Sequence, residues 1–292
     1  MIPVTYLPVA TQHQFARNRE LIQGKPYERY FTGDLCLHQD VLPATQRAMD
    51  PAEAVLPNAE GLSSLLDPGY HPVENGFCDL GDGTAYVASR VEIPGCTGEM
   101  YRWWFWWHLV EPARYSLWYP HSHVGVRPRN RDVLTRPGLT HEQRYVGNAC
   151  HNDEYLGDDL HKIAIEFVEP AELGFDTSRF AEAGVVGCVC ARVGRRHPPL
   201  QAGTMLHLAR QTDRGIEQRS RYWIGHNTRL RAFNHLVDVD RPIARLGLKR
   251  HLAGERLAYD LFLHNQIEFT HLSTFLPNLY DEFGDSRDAT GP

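Results

Sequence analysis

Leu261-Phe262-Leu263-His264-Asn265-Gln266-Ile267-Glu268-Phe269 stands near the C-terminus of a 292-residue chain, inside an otherwise apolar run. It belongs to a longer pattern, 251–284, in which Leu257, Leu261, His264 and Glu268 recur at three- and four-residue intervals. That period predicts one long amphipathic helix. His264 and Glu268 then project from one face, one turn apart, and an imidazole and a carboxylate so placed can grip a single metal ion. The plainer alternative is a half-exposed helix face with a mild polar contact. The apolar flanks weigh against it, because a buried Glu without a partner is costly. The nearest upstream basic residues, Arg256, Lys249 and Arg250, lie at least three turns away.

Upstream of this helix the chain reads mainly as strands. Gly76-Phe-Cys-Asp-Leu and Thr84-Ala-Tyr-Val-Ala-Ser-Arg-Val-Glu-Ile flank a Gly-Asp-Gly turn at 81–83, as in a hairpin. Lys162–Val168, Val185–Val193, Met205–Arg210 and Gly215–Trp223 carry strand-like patterns. The block Trp103-Trp-Phe-Trp-Trp-His108 reads as a buried helix or strand, with helix favoured by the Glu111-Pro112 stop. Residues 117–123 are expected to end in a loop. Strands followed by one long helix predict an α+β domain, a curved antiparallel sheet gripping that helix. Residues 1–75, rich in Pro, Asp, Ala and Gly, are expected to form a small helical and irregular N-terminal domain, with short helices at 44–55 and 59–66. Residues 76–292 are expected to form the main domain.

Composition narrows the function classes. With 42% hydrophobic and 11% aromatic residues the chain can bury a sizeable core. The net charge of −6 and the scattered basic residues give no reason to expect nucleic acid as a partner. No apolar run approaches the ~20 residues that span a bilayer, and the N-terminus lacks the pattern of a signal peptide, so no membrane partner and a cytoplasmic location are expected. Six dispersed cysteines do not make a disulfide framework. Histidine is the unusual count, at 16.

A divalent ion with oxygen and nitrogen ligands needs three or four convergent groups. Upstream candidates are His121 and His123 in Pro120-His-Ser-His123, and Glu154 in His151-Asn-Asp-Glu-Tyr155. Each has a plain reading too, as a polar loop and as a solvated acidic turn, and spacing does not choose between them.

The ordered set Trp103–His108, Tyr115-Ser-Leu-Trp118, Pro120-His-Ser-His123, Asp153-Glu-Tyr155, Ile165-Glu-Phe167, Arg221-Tyr-Trp223 and His264-x-x-x-Glu268 resembles the diacetylphloroglucinol hydrolase family, which includes phloretin hydrolase. The resemblance is strongest from about 100 to 275. It implies a Bet v 1-like helix-grip fold with a smaller N-terminal domain, and a Zn2+ ion held by His123, Glu154, His264 and Glu268. It also implies hydrolysis of the carbon–carbon bond between an acyl group and a polyhydroxylated aromatic ring, in a small aromatic ketone such as an acylphloroglucinol or phloretin. A homodimer is implied by the resemblance alone.

Ring hydroxyls ortho and para to the acyl group let a ring carbon take a proton, giving a β-diketone-like tautomer. Attack of water on the acyl carbonyl then expels an enol, in the retro-Claisen sense. Within this scheme Glu154 is the candidate base and His207 the candidate group that delivers the ring proton. Without the resemblance, His207 reads as a core histidine. Tyr115 and Tyr222 match the family's phenols that bond ring hydroxyls, and His226 is a further candidate on the pocket wall. His121 is either a donor that steers the ligands or a plain loop residue. The family carries a polar amide a few residues beyond the loop histidine, where this chain has Val124 and Val126. That departure leaves the substrate's hydroxylation pattern and acyl group open. Two other functions fit the same residues: a hydrophobic-ligand carrier with a vestigial site, and a non-haem iron oxygenase.

Overall fold

In the computed structural model, residues 1–232 and 235–284 are described, so the last part of the expected main domain, 285–292, lies outside them. The chain is α+β. Ile2–Pro3 (β1) and Cys36–Leu37 (β2) form a small antiparallel pair. A nine-stranded antiparallel sheet is built from Gly76–Asp79 (β3), Ala85–Pro94 (β4), His123–Pro128 (β5), Ala149–Leu156 (β6), Asp159–Val168 (β7), Val185–Arg195 (β8), Leu200–Thr212 (β9), Gly215–Ala232 (β10) and His235–Asp238 (β11). The spatial order is β3-β4-β10-β9-β8-β7-β6-β5, with β11 paired to β10.

Alternation along β4 shows why the sheet is covered on both sides. Ala85, Val87, Val91 and Ile93 join the core shared with the long helix, whereas Tyr86 and Ala88 join a second core with Val55, Leu62, Leu65 and Leu66 of the N-terminal segment. The long helix, Gly254–Ser273, packs along β3 and β4. Its inward residues Ala258, Phe262, Phe269 and Leu272 are fully buried. The aromatic block is a helix, Gly98–Trp107, capped by Thr97, whose hydroxyl accepts from the Met100 amide. Trp103 and Trp104 are completely enclosed in the main core.

The hairpin expected at 76–93 is present. Asp79 Oδ1 accepts from the Gly81 and Gly83 amides, both at 2.8 Å, and both glycines have positive φ. Other expectations are corrected. The pattern at 251–284 is interrupted: Gly254, at φ 71°, opens the long helix after the short helix Lys249–Leu252, and Leu276–Phe283 follows as a separate helix with Pro277 in its first turn. Residues 44–55 hold only the short helix Leu42–Thr45 and the 3-10 turn Pro51–Glu53. Pro112 starts a helix through Trp118, leaving only 119–122 as loop before β5. The acidic-turn reading of 152–154 fails, because those residues lie within β6. There Cys150, Asn152, Glu154 and Leu156 face inward while His151 is exposed.

The N-terminal helix Val9–Ile22 reaches the loop before β5. Asn18 Nδ2 donates to the carbonyls of Pro120 at 2.8 Å and His123 at 2.7 Å. Ile22, Tyr27 and Val41 join the main core. All six cysteines are free thiols.

Candidate metal centre and its cavity

Three elements bring the donor set together. His123 opens β5, Glu154 lies opposite it on β6, and His264 and Glu268 stand one turn apart on the long helix. His123 Nε2 is 3.4 Å from His264 Nε2 and 3.4 Å from Glu268 Oε2, and His264 Nε2 is 3.5 Å from the same carboxylate oxygen. The ligand atoms of His123, His264 and Glu268 all lie within 4.8 Å of one another. Glu154 Oε2 is 3.9 Å from His123 Nε2 and accepts from the Tyr115 hydroxyl at 2.5 Å.

The two imidazoles are oriented from behind. His123 Nδ1 lies 3.0 Å from the Tyr115 carbonyl, and His264 Nδ1 lies 3.2 Å from the Tyr155 carbonyl. A carbonyl only accepts, so each ring carries its proton on Nδ1 and turns a bare Nε2 lone pair toward the centre. Two such lone pairs 3.4 Å apart, beside a buried carboxylate, require a cation or a proton between them. A divalent ion with nitrogen and oxygen ligands satisfies all of them at once. The chemistry of the donor set therefore fits a metal.

The charges bear the same mark. For Glu268, burial opposes ionisation, but His264 and His123 outweigh it and draw the carboxyl down to about 2. Burial likewise opposes charge on His264, yet Glu268 and Glu154 push its pKa above the ordinary value.

The cluster borders a cavity of about 440 Å³. Phe105, Trp118, Ile165, Phe167 and Met205 give it apolar walls suited to a flat ring, and His108, Tyr115, Asn152, Glu154, His207 and Tyr222 supply polar groups. His207 is bonded to side chains rather than backbone: Nδ1 lies 2.8 Å from Ser220 Oγ and accepts from Gln218 Nε2 at 3.0 Å. With Nδ1 accepting, its proton sits on Nε2. Burial lowers the His207 pKa to about 4, so the ring is neutral. The Tyr115 ring stacks on His123 with centroids 3.9 Å apart. Burial, then Glu154, raises the Tyr115 pKa well above the ordinary value, and burial, then Glu268, does the same for Tyr222.

His226 does not reach this cavity. It lines a second hollow with Trp223, Thr204 and Arg229 on the other side of the sheet. Simple alternation from Tyr222 and Ile224 would have turned residue 226 inward. The register shift between Ile224 and Arg229, with positive φ at Gly225 and Asn227, breaks the alternation locally, so Gly225 rather than His226 borders the cavity before Thr228 resumes the inward face. His121 stacks on Phe15 of the N-terminal helix at 4.3 Å and is absent from the cavity wall.

Three wall or support residues escaped the sequence reading. His108 Nδ1 donates to the Trp104 carbonyl at 2.7 Å, and burial lowers its pKa to about 3. Asn265 bonds both Glu268 and Tyr222. Asn152 stands opposite Val126 in the β5–β6 ladder. Val126 is buried in the core and neither Val124 nor Val126 borders the cavity, so Asn152 supplies a carboxamide on that wall. A buried amide within an apolar helix or alternating strand was the available signal for both asparagines.

Fold and cluster together define an α+β protein with a buried His/carboxylate centre at the side of an aryl-sized cavity. Residues 56–281 match the family model described as the DAPG hydrolase PhiG domain. The chain is 35% identical over 286 residues to the 2,4-diacetylphloroglucinol hydrolase of Pseudomonas protegens, covering 97% of this chain and 93% of that protein. It is also 35% identical to a protein of the same name from a Pseudomonas species, covering 97% of each. Phloretin hydrolase of Eubacterium ramulus is 31% identical over 262 residues, 89% of this chain and 91% of that protein. The chain belongs to the diacetylphloroglucinol hydrolase family.

Proposed function

We propose that this protein hydrolyses the carbon–carbon bond joining an acyl group to a polyhydroxylated aromatic ring, in an acylphloroglucinol or a phloretin-like ketone. The observation that carries this reading is the pair of oriented Nε2 atoms converging with Glu268 beside an aryl-sized cavity. His123, Glu154, His264 and Glu268 would hold Zn2+, which when bound supplies Lewis acidity, polarising an acyl oxygen and lowering the pKa of water to about 7.

The chain's own residues divide the remaining work. The ring carbon that bears the acyl group must gain a proton while a ring hydroxyl loses one. His207, with its proton on Nε2, is the group proposed to relay it, the hydroxyl's proton replacing the one passed to carbon so that the imidazole ends neutral. Glu154 takes a proton from the attacking water. Attack forms the new carbon–oxygen bond, the bond to the ring breaks, and the electron pair passes through the ring onto a ring oxygen, which takes the proton that Glu154 accepted from the water. The products are a carboxylic acid and the deacylated ring. Tyr115 already donates its hydrogen to Glu154, so toward a ring hydroxyl it offers a lone pair. The apolar walls exclude bulk water and hold the ring flat.

The same reading takes the body of the protein as a Bet v 1-like helix-grip domain, 76–292, with a small N-terminal domain, 1–75, closed against it. It takes the working form as a cytoplasmic homodimer. No helix among the described residues is long and apolar enough to cross a membrane.

The test is metal analysis of the purified protein, followed by anaerobic incubation with phloretin and with acylphloroglucinols. Bound zinc and oxygen-independent release of the carboxylic acid are expected. Strict dependence on oxygen would identify an oxygenase, and absence of tightly bound metal would identify a carrier.

A further inference from the structure

Asn265 lies between two residues with different tasks and bonds to both. It is fully buried on the long helix, and its Nδ2 donates to Glu268 Oε1 at 3.1 Å and to the Tyr222 hydroxyl at 2.8 Å. An amide nitrogen offers two hydrogens and its oxygen offers only lone pairs. Turning the amide over would set Oδ1 against the Glu268 carboxylate, which as an ionised group can only accept. Glu268 therefore fixes which end of the amide faces it, and both hydrogens are committed, one to the carboxylate and one to the phenol. The Tyr222 oxygen must accept, so its own hydrogen points away from Asn265. Tyr222 borders the cavity, and the Asn265 contact is the one hydrogen bond of its hydroxyl among the described residues.

We propose that Asn265 is a positioning residue that holds Tyr222 as a hydrogen-bond donor aimed at an oxygen of the bound aromatic ketone. This deepens the proposed reaction and rests on it for the identity of the ligand. As the carbon–carbon bond breaks, negative charge spreads onto the ring oxygens, and a donor already aimed there strengthens its bond in the transition state. The benefit falls on kcat more than on KM. The arrangement also ties the donor to the helix turn that carries Glu268, so a ring oxygen and the donor cluster keep a fixed spacing.

Tyr222→Phe, Asn265→Leu and the double variant test this, with kcat and KM measured separately on 2,4-diacetylphloroglucinol and phloretin, and with metal content and thermal midpoint recorded for each. Tyr222→Phe should lower kcat by about 100-fold, the size of one lost oxyanion donor, with KM little changed. Asn265→Leu should lower kcat per bound metal by about 10-fold or more, and the double variant should be no worse than Tyr222→Phe alone. Multiplying losses in the double variant would overturn the proposal, as would an Asn265→Leu defect explained wholly by lost metal. If the wild-type protein turns over neither ketone, the proposed reaction fails, and equilibrium binding of phloretin then decides the inference. Non-additive weakening by the two single changes supports it; additive weakening, or no binding by the wild type, sinks it.

Discussion

His123 stands directly across the β5–β6 ladder from Glu154, yet the two do not bond. Nε2 and Oε2 are 3.9 Å apart, and Glu154 takes a hydrogen bond from Tyr115 instead. Glu154 thus sits beside the tight group of His123, His264 and Glu268 with a proton donor of its own. Glu154→Gln should keep most of the bound metal while turnover falls by about 100-fold or more, the usual size of a lost general base. Glu268→Gln, which alters the carboxylate shared by both imidazoles, should lose metal. Metal stoichiometry and kcat on the same preparations check both. Equal loss of metal and turnover in Glu154→Gln would make its role purely structural.

Metal-free protein should show a stability optimum with two flanks. Glu268 is drawn from 4.5 to about 2, so its contribution is present above 4.5 and disappears as pH falls toward 2. His264 is raised above 6.5, so its contribution is present below 6.5 and disappears as pH rises through the raised value. Loaded protein should behave oppositely on the alkaline flank, because metal competes with protons for the same ligands. Thermal midpoints of chelated and loaded protein across this range decide the matter; identical profiles would refute a metal at these residues.

Asn18 links the N-terminal helix to the carbonyls of Pro120 and His123. Replacing it by Leu removes both bonds and leaves two buried acceptors, at a cost of about 1–3 kcal/mol for each unsatisfied group. Denaturant unfolding should show the loss. Turnover should fall as well, since these bonds hold the start of β5, which carries the proposed ligand His123. Unchanged turnover in the folded variant would show that β5 alone positions His123.

Trp104 is wholly buried and meets Trp118 and Phe275 edge to face, at 5.8 Å in each case. Trp104→Ala should cost about 3–5 kcal/mol. A cost below about 1 kcal/mol would mean that the aromatic helix packs more loosely than its burial implies.

How much of this was legible in the chain depended on locality. His264 and Glu268 announce themselves because one helical turn joins them. The hairpin at 76–93 announces itself through its Gly-Asp-Gly turn. Glu154 needed a strand that the acidic stretch Asn152-Asp153-Glu154 disguised as a turn, and its tie to His123 is a cross-strand pairing that no local spacing records. His226 lies off the cavity because a bulge interrupts the alternation of β10 there, a change that alternation alone does not reveal. The role of Asn265 depends on Tyr222, which the fold brings near and sequence does not, although its other partner, Glu268, lies within one helical turn. Where a ligand hides behind a long-range contact, family resemblance supplied what spacing lacked.

The four proposed donors also set an order of assembly during synthesis. His123 and Glu154 emerge together and become neighbours as soon as β5 and β6 pair. His264 and Glu268 arrive only with the long helix, after β7 to β11 have been made. A nascent chain therefore carries half a binding site, a histidine and a carboxylate too sparse to retain an ion. Loading must wait until the helix docks, so the ion would enter a nearly finished protein and mark the end of its folding rather than start it.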